Sequence, residues 1–294
     1  LTREVQSAGS RFFAQLNHAG SQSRDPSVDP IAPSVIPNLQ HGRTPKEATE
    51  EQIREIIKAF GQAAGRVKEA GFDGVHLHAG HGYLLTEFMS PYANRREDKW
   101  GGSLENRQRL LMEVVRVIQG TVGPDFPFTV KLGMRDFVSG GVTLEEGLDT
   151  AEKLDQIGIH GLEVSAGLIS AKIESAAPYA GVSRKRALQD KLIHRLFSKP
   201  VPEAYFRETA RKLREVVRCP IILVGGIRTV EMMESIVADN IAEFVSLARP
   251  FIREPELVHK IKQGKRGLVD CTSCNICLMH EGFHSLRCWR KSNK

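Results

Sequence analysis

The stretch Val75-His76-Leu77-His78-Ala79-Gly80-His81-Gly82-Tyr83-Leu84-Leu85 decides the fold. It opens as a short apolar-alternating strand and closes on two histidines three positions apart, with a tyrosine two further on. Gly80 and Gly82 leave the connecting loop free to bend. Two imidazoles and a phenol thus stand at the carboxyl end of a strand, which is where parallel (β/α) barrels carry their chemistry. Imidazoles placed there hold a developing oxyanion, and a phenol delivers a proton.

Strand and helix patterns alternate on both sides of this stretch. Residues 12–16 read as a strand ending at Asn17-His18-Ala19-Gly20, and a polar, proline-rich loop follows from 21 to about 49. Residues 50–70 have helical spacing, with Ile53, Ile56, Ile57, Phe60, Ala64 and Val67 on one face. Thr49 and Gln52 have the pattern of a capping box at its start. Further strands are expected at 74–78, 128–132, 161–165, 220–224 and 244–247, and helices at 103–122, 143–157, 204–217 and 230–238. Such units imply parallel strands joined by right-handed crossovers. The count is six strands, and the last is followed by a helix and a tail, so the two that a closed barrel still needs are missing from the front. The expected fold is α/β: a (β/α)8 TIM barrel, N-terminally truncated, over residues 1–265, then a cysteine-rich tail over 266–294. An open doubly wound sheet is disfavoured because no strand is followed by Gly-x-Gly-x-x-Gly.

Composition narrows the function. A chain of 294 residues with 41% hydrophobic and 26% charged residues is ordinary for a soluble enzyme. No run approaches the roughly 20 apolar residues of a membrane span, and the start has no apolar core of a signal peptide. The net charge is +6, but its densest runs, Arg184-Lys185-Arg186 and Arg290-Lys291, lack interleaved aromatics, which argues against nucleic acid as a partner. Four of the five cysteines, Cys271, Cys274, Cys277 and Cys288, crowd the tail, a pattern of metal or iron–sulfur ligation in a reducing compartment, by default the cytoplasm. The Cys-x2-Cys-x2-Cys run matches the opening of a ferredoxin-type site; structural zinc and reduced thiols are the alternatives. Cys219 opens an apolar strand and reads as inert core.

The last two strands end in Val224-Gly225-Gly226-Ile227 and Leu247-Ala248-Arg249-Pro250. In many barrels the loops after the last two strands bind a phosphate: glycine N–H groups approach its oxygens and an arginine adds charge. The plain alternative is a tight turn and a solvated arginine. Lys131 lies near the end of its strand and points either to the barrel mouth or outward. Gln15 ends an apolar strand; buried there, it needs partners such as the edge of a heteroaromatic ring.

With these residues in place, the chain resembles the Old Yellow Enzyme family of flavin-dependent ene-reductases. The resemblance is carried by Ala14-Gln-Leu-Asn-His-Ala-Gly20, Gly71-Phe-Asp-Gly-Val-His-Leu-His-Ala-Gly-His-Gly-Tyr83 and Glu87-Phe-Met-Ser-Pro-Tyr-Ala-Asn-Arg-Arg-Glu-Asp-Lys-Trp-Gly-Gly-Ser-Leu-Glu-Asn-Arg107. It implies an FMN-bearing barrel using NAD(P)H, with Gln15 and Lys131 at the flavin ring and Gly225, Gly226, Ala248 and Arg249 at its phosphate. It also implies that His78 and His81 hold a substrate carbonyl or nitro oxygen and that Tyr83 is the proton donor. The segment 87–107 reads as mainly structural, and 166–202 as either a candidate lid and selectivity element with Tyr179 or a plain surface insertion.

The tail is similar to that of 2,4-dienoyl-CoA reductase and trimethylamine dehydrogenase, which implies a [4Fe–4S] cluster fed by a separate electron donor or by another subunit, a homo-oligomer included. The competing readings are therefore an ene-reductase, a cluster-containing dienoyl-CoA reductase-like or amine dehydrogenase-like subunit, and an inactive fragment or binding module that folds poorly or binds FMN weakly without its first strands.

Overall fold

A computed structural model describes residues 1–38, 43–168, 202–275, 277 and 284–290. The sequence reading of a lid over 166–202, with Tyr179, lies almost wholly outside the described residues. The chain divides into two compact units, Leu1–Ser170 with Lys212–Ile221, and Ala171–Arg211 with Ile222–Lys294.

In the first unit, α1 (Thr2–Ser7) leads into β1 (Phe13–Leu16), and β2 (Ile31–Ala32) pairs with β3 (Lys46–Glu47) within the proline-rich loop. The main sheet runs β1, β4 (Gly74–Ala79), β5 (Phe128–Gly133) and β6 (Gly161–Ser165), all parallel. Its register sets Gln15 beside His76, His78 beside Lys131, and Lys131 beside Glu163, so these side chains share one face. Leu77, Val130, Leu132, Leu162 and Val164 alternate with them and are fully buried.

The helices form where their caps and apolar faces dictate. Thr49 and Gln52 close a reciprocal capping box on α2 (Glu50–Glu69), as the sequence predicts, while α3 (Leu84–Met89) starts directly after Tyr83. Ser103 caps α4 (Leu104–Val122). Thr143 and Glu146 cap α5 (Leu144–Ile157), which ends on Gly158 at φ +90°. Gly61 and Gly65 of α2 let α4 approach, since a Cβ on either would lie 3.1 Å from Val117 or 3.3 Å from Thr121.

Much of the 87–107 segment is a clamp. The Asn94 amide donates to the carbonyls of Phe88 and Trp100 at 2.7 and 2.8 Å. Arg96 reaches Asp98, Glu47 and the Ala48 carbonyl, and buried Arg107 pairs with Glu146 at 2.6 Å.

The second unit contains β7 (Ile221–Val224) from Ile222 onward and β8 (Phe244–Ser246), paired in parallel with Val224 beside Ser246. Glu203 accepts the backbone N–H groups of Arg228 and Thr229, both at 2.5 Å. The helix expected at 204–217 begins later, as α6 (Arg207–Val216), because Ala204 adopts φ +51° and residues 203–206 form a turn. Thr229 caps α7 (Val230–Ala238), and α8 (Arg249–Arg253) and α9 (Leu257–Lys262) follow β8. Arg253 and Arg290 both pair with Asp270, at 2.6 and 2.7 Å. Among the described residues no helix is long and apolar enough to cross a membrane.

Gly147, in the first turn of α5, packs so closely on β5's exit that a Cβ there would collide with the Met134 carbonyl. Gly147→Ala is therefore expected to lower unfolding stability by about 1–3 kcal/mol despite alanine's better helix propensity. Urea denaturation followed by circular dichroism measures this, and a variant as stable as the parent contradicts the close approach.

Candidate active site

Strand β4 ends at Ala79 and the chain turns through Gly80, His81 and Gly82 before Tyr83 starts α3. His81 sits at φ +56°, pinned by its own N–H donating to the Ala166 carbonyl at 2.9 Å and by its carbonyl accepting from Gln22 Nε2 at 2.8 Å. Non-glycine residues held in this region mark positions that the surroundings over-determine. The turn folds the three expected residues together. The His78 ring lies 4.9 Å from that of His81 and 5.1 Å from that of Tyr83, the latter edge-on at 89°.

The two imidazoles touch each other. His78 Nε2 lies 3.2 Å from His81 Nδ1, and His81 Nε2 lies 2.8 Å from Ser165 Oγ. Burial, assisted by the positive charges nearby, pulls the His78 pKa down to about 3; burial and the Lys131 charge pull His81 to about 4. Both rings are therefore uncharged at neutral pH, and each offers one N–H and one bare nitrogen.

Beside them, Lys131 points onto the same face as His76 and His78, which resolves its direction. Its Nζ sits 2.9 Å from Glu163 Oε1, while His76 Nε2 sits 2.9 Å from Glu163 Oε2. Thr129 Oγ1 completes the set, 2.7 Å from His76 Nδ1. Burial alone would push the Glu163 carboxyl up; the His76 hydrogen bond and the Lys131 charge outweigh it and hold the group at about 2. Sequence reasoning missed His76, Glu163 and Ser165. Their signal was present: polar residues at alternating positions of otherwise apolar strands, on the face already occupied by His78 and Lys131.

Gln15 corrects an expectation. It is exposed, not buried, although its register with His76 puts it on the same face as Lys131. In the second unit the candidate phosphate loops leave β7 and β8 at the same end. Gly225 and Gly226 take φ of +120° and +69°, and a Cβ on either would strike the Tyr205 ring, at 2.8 and 3.0 Å. Ala248 caps the short α8, and the Arg249 guanidinium donates to Asn275 Oδ1 in the tail, so this arginine is not simply solvated.

Cys271, Cys274, Cys277 and Cys288 are outside any disulfide, and among the described residues no three His, Cys, Asp or Glu side chains gather as a metal ion requires. Cys219 is buried, and burial together with Asp155 pushes its thiol up to about 12, which fits inert core.

The family model for the NADH:flavin oxidoreductase / NADH oxidase family matches residues 1–267. The chain belongs to this family. It is 39% identical over 292 residues to an NADH oxidase of Thermoanaerobacter brockii, covering 98% of this chain and 42% of that protein. Among solved structures it resembles a 2-naphthoyl-CoA reductase bound to 2-naphthoyl-CoA (TM-score 0.81, 26% identity, 94% of this chain and 41% of that one). It also resembles the old yellow enzyme homologue of Zymomonas mobilis (TM-score 0.71, 25% identity, 93% and 72%). The chain thus spans about two fifths of the NADH oxidase it matches. The α/β fold expected from the sequence, six strands of a (β/α)8 barrel, is the fold found.

One buried carboxyl lies just outside this site. Glu87 receives the backbone N–H of Ser21 at 3.2 Å and the Ser21 hydroxyl, yet burial dominates and pushes its pKa up to about 8. A raised folded pKa means that the native state holds a proton the unfolded chain has released above about 4.5, so this group's contribution to stability is lost as pH rises through 8. Glu87→Gln, which keeps the shape and removes the titration, is expected to flatten the fall in urea midpoint between pH 5 and pH 8. An identical fall in both proteins contradicts a protonated Glu87.

Proposed function

We propose that this chain is an FMN-dependent oxidoreductase that moves hydride from NAD(P)H to an activated C=C bond, in an α,β-unsaturated carbonyl or nitro compound. The observation that carries the reading is the cluster of two uncharged imidazoles and a phenol at the end of β4, beside the cation of Lys131. Family membership and the resemblance to reductases support it.

The residues suit a flavin. Lys131 brings a positive charge, held by Glu163, to the face on which Gln15 exposes an amide. The loops at 225–226 and 248–249 combine glycine backbone and an arginine at one strand end, which suits a phosphate. Hydride chemistry comes from the bound FMN, recharged by NAD(P)H. His78 and His81 grip the activating oxygen, and their hydrogen bonds strengthen as negative charge builds on it. Being uncharged, the rings offer N–H donors without surrendering a proton to the oxygen. Tyr83, edge-on to His78, delivers the proton to the α-carbon.

Purified protein is expected to show a flavin absorbance band that bleaches with NAD(P)H and recovers on adding an enone. Tyr83→Phe is expected to slow alkene reduction by about 10²-fold or more while sparing flavin reduction by NAD(P)H. Equal slowing of both half-reactions in stopped flow removes Tyr83 as the proton donor. Absence of any flavin band favours a non-catalytic module instead.

The tail carries a narrower proposal: Cys271, Cys274, Cys277 and Cys288 ligate a [4Fe–4S] cluster, or alternatively zinc, which would make the chain part of a cluster-containing reductase or amine dehydrogenase-like subunit. Their spacing supports it. Elemental analysis of anaerobically purified protein is expected to find about four irons per chain. One zinc selects the alternative, and neither metal returns the tail to plain thiols.

A further inference from the structure

We propose that Ser165 is the positioning residue that decides which nitrogen of His81 carries the proton, and thereby whether the histidine pair is closed on itself or open to a substrate oxygen. The inference rests on the reading that His78 and His81 hold that oxygen.

The donors and acceptors follow from one anchor. The Gly80 backbone N–H donates to His78 Nδ1 at 3.1 Å, so this nitrogen is bare and the proton of the uncharged ring sits on Nε2. That N–H faces His81 Nδ1 at 3.2 Å, which must then be the acceptor. The His81 proton is left on Nε2, 2.8 Å from Ser165 Oγ, and the hydroxyl accepts it. The order is a chain: Gly80 N–H to His78, His78 to His81, His81 to Ser165. Both imidazole N–H groups are committed inside it, and neither is left over for a ligand.

An oxygen held by both rings enters between the two nitrogens that face each other. His78 Nε2 already carries a proton for it. His81 offers one only if its proton moves to Nδ1, which leaves Nε2 bare. The ring loses one proton from Nε2 and gains one at Nδ1, so its charge is unchanged and solvent water carries the exchange. A buried bare nitrogen needs a donor, and Ser165, only 1% exposed, is the neighbour that supplies it. A hydroxyl is both donor and acceptor and turns between the two roles by rotating one torsion. A carboxylate at 165 would lock the closed tautomer, and an alanine would support neither.

The test uses the full-length, flavin-loaded protein labelled with ¹⁵N-histidine and a phenolate probe, 4-hydroxybenzaldehyde, as the oxyanion. Imidazole ¹⁵N shifts are expected to place the His81 proton on Nε2 without the probe and on Nδ1 with it. Ser165→Ala is expected to weaken probe binding about 10-fold, the worth of one hydrogen bond, and to abolish the tautomer change. Ser165→Thr, which keeps the hydroxyl, is expected to restore both. A wild-type His81 that keeps its Nε2 proton with the probe bound overturns the proposal, and this arm stands even if Ser165→Ala fails to load flavin. So does a Ser165→Ala protein that binds the probe as tightly as wild type. His78→Ala separates the two layers. If it binds the probe undiminished, the oxygen is not held by the pair, and the underlying reading falls together with the proposal. If it binds weakly while Ser165→Ala binds normally, only the role of Ser165 is overturned.

Discussion

The carboxylate of Glu163 is the point on which the site rests. It lies in the sheet interior with Lys131 on one oxygen and His76 on the other, so it ties three adjacent strands together through side chains as well as backbone. Burying a carboxylate is costly, and pairing offsets that cost only while both partners stay in place. The bridge therefore fixes the direction of Lys131, which the alternation of a strand leaves open, and keeps its charge next to the two imidazoles. Burial, assisted by that charge, is why the imidazoles are neutral donors and not imidazolium ions.

Parallel register turns this pairing into a layered site. His76 and Thr129 form the deeper part of the face, His78, Lys131 and Glu163 lie level one step nearer the strand ends, and Ser165 closes β6. The loop through His81 then brings its ring back over His78. The layout matches the division of labour in barrels, where strand interiors hold the layer in place and strand ends and loops do chemistry. The clamp of Asn94, Arg96 and Arg107 fixes the chain that follows α3, the helix starting directly after Tyr83.

The fold was legible in the sequence because its signals are local. Thr49 with Gln52 announced a helix start by chemistry that acts over three residues. His78, His81 and Tyr83 were legible because they share one strand and one turn. Glu163 and Ser165 were not, because their partners lie 30 to 90 positions away and only the register reveals them. Gln15 was misjudged for a related reason: apolar neighbours in sequence suggested burial, but exposure depends on what packs across the strand. Helix α3 was missed because it lasts only six residues and starts straight out of the turn.

The grip of Asn275 on Arg249 has a consequence of its own. The guanidinium of Arg249, proposed above to meet a phosphate, is held by the amide oxygen of Asn275, which lies between Cys274 and Cys277. An anion that engages this arginine face-on competes with that amide, and such competition runs both ways. On the proposed reading, drawing the cysteines around a metal would shift Asn275 away from the arginine, and an anion that captured the arginine would release Asn275.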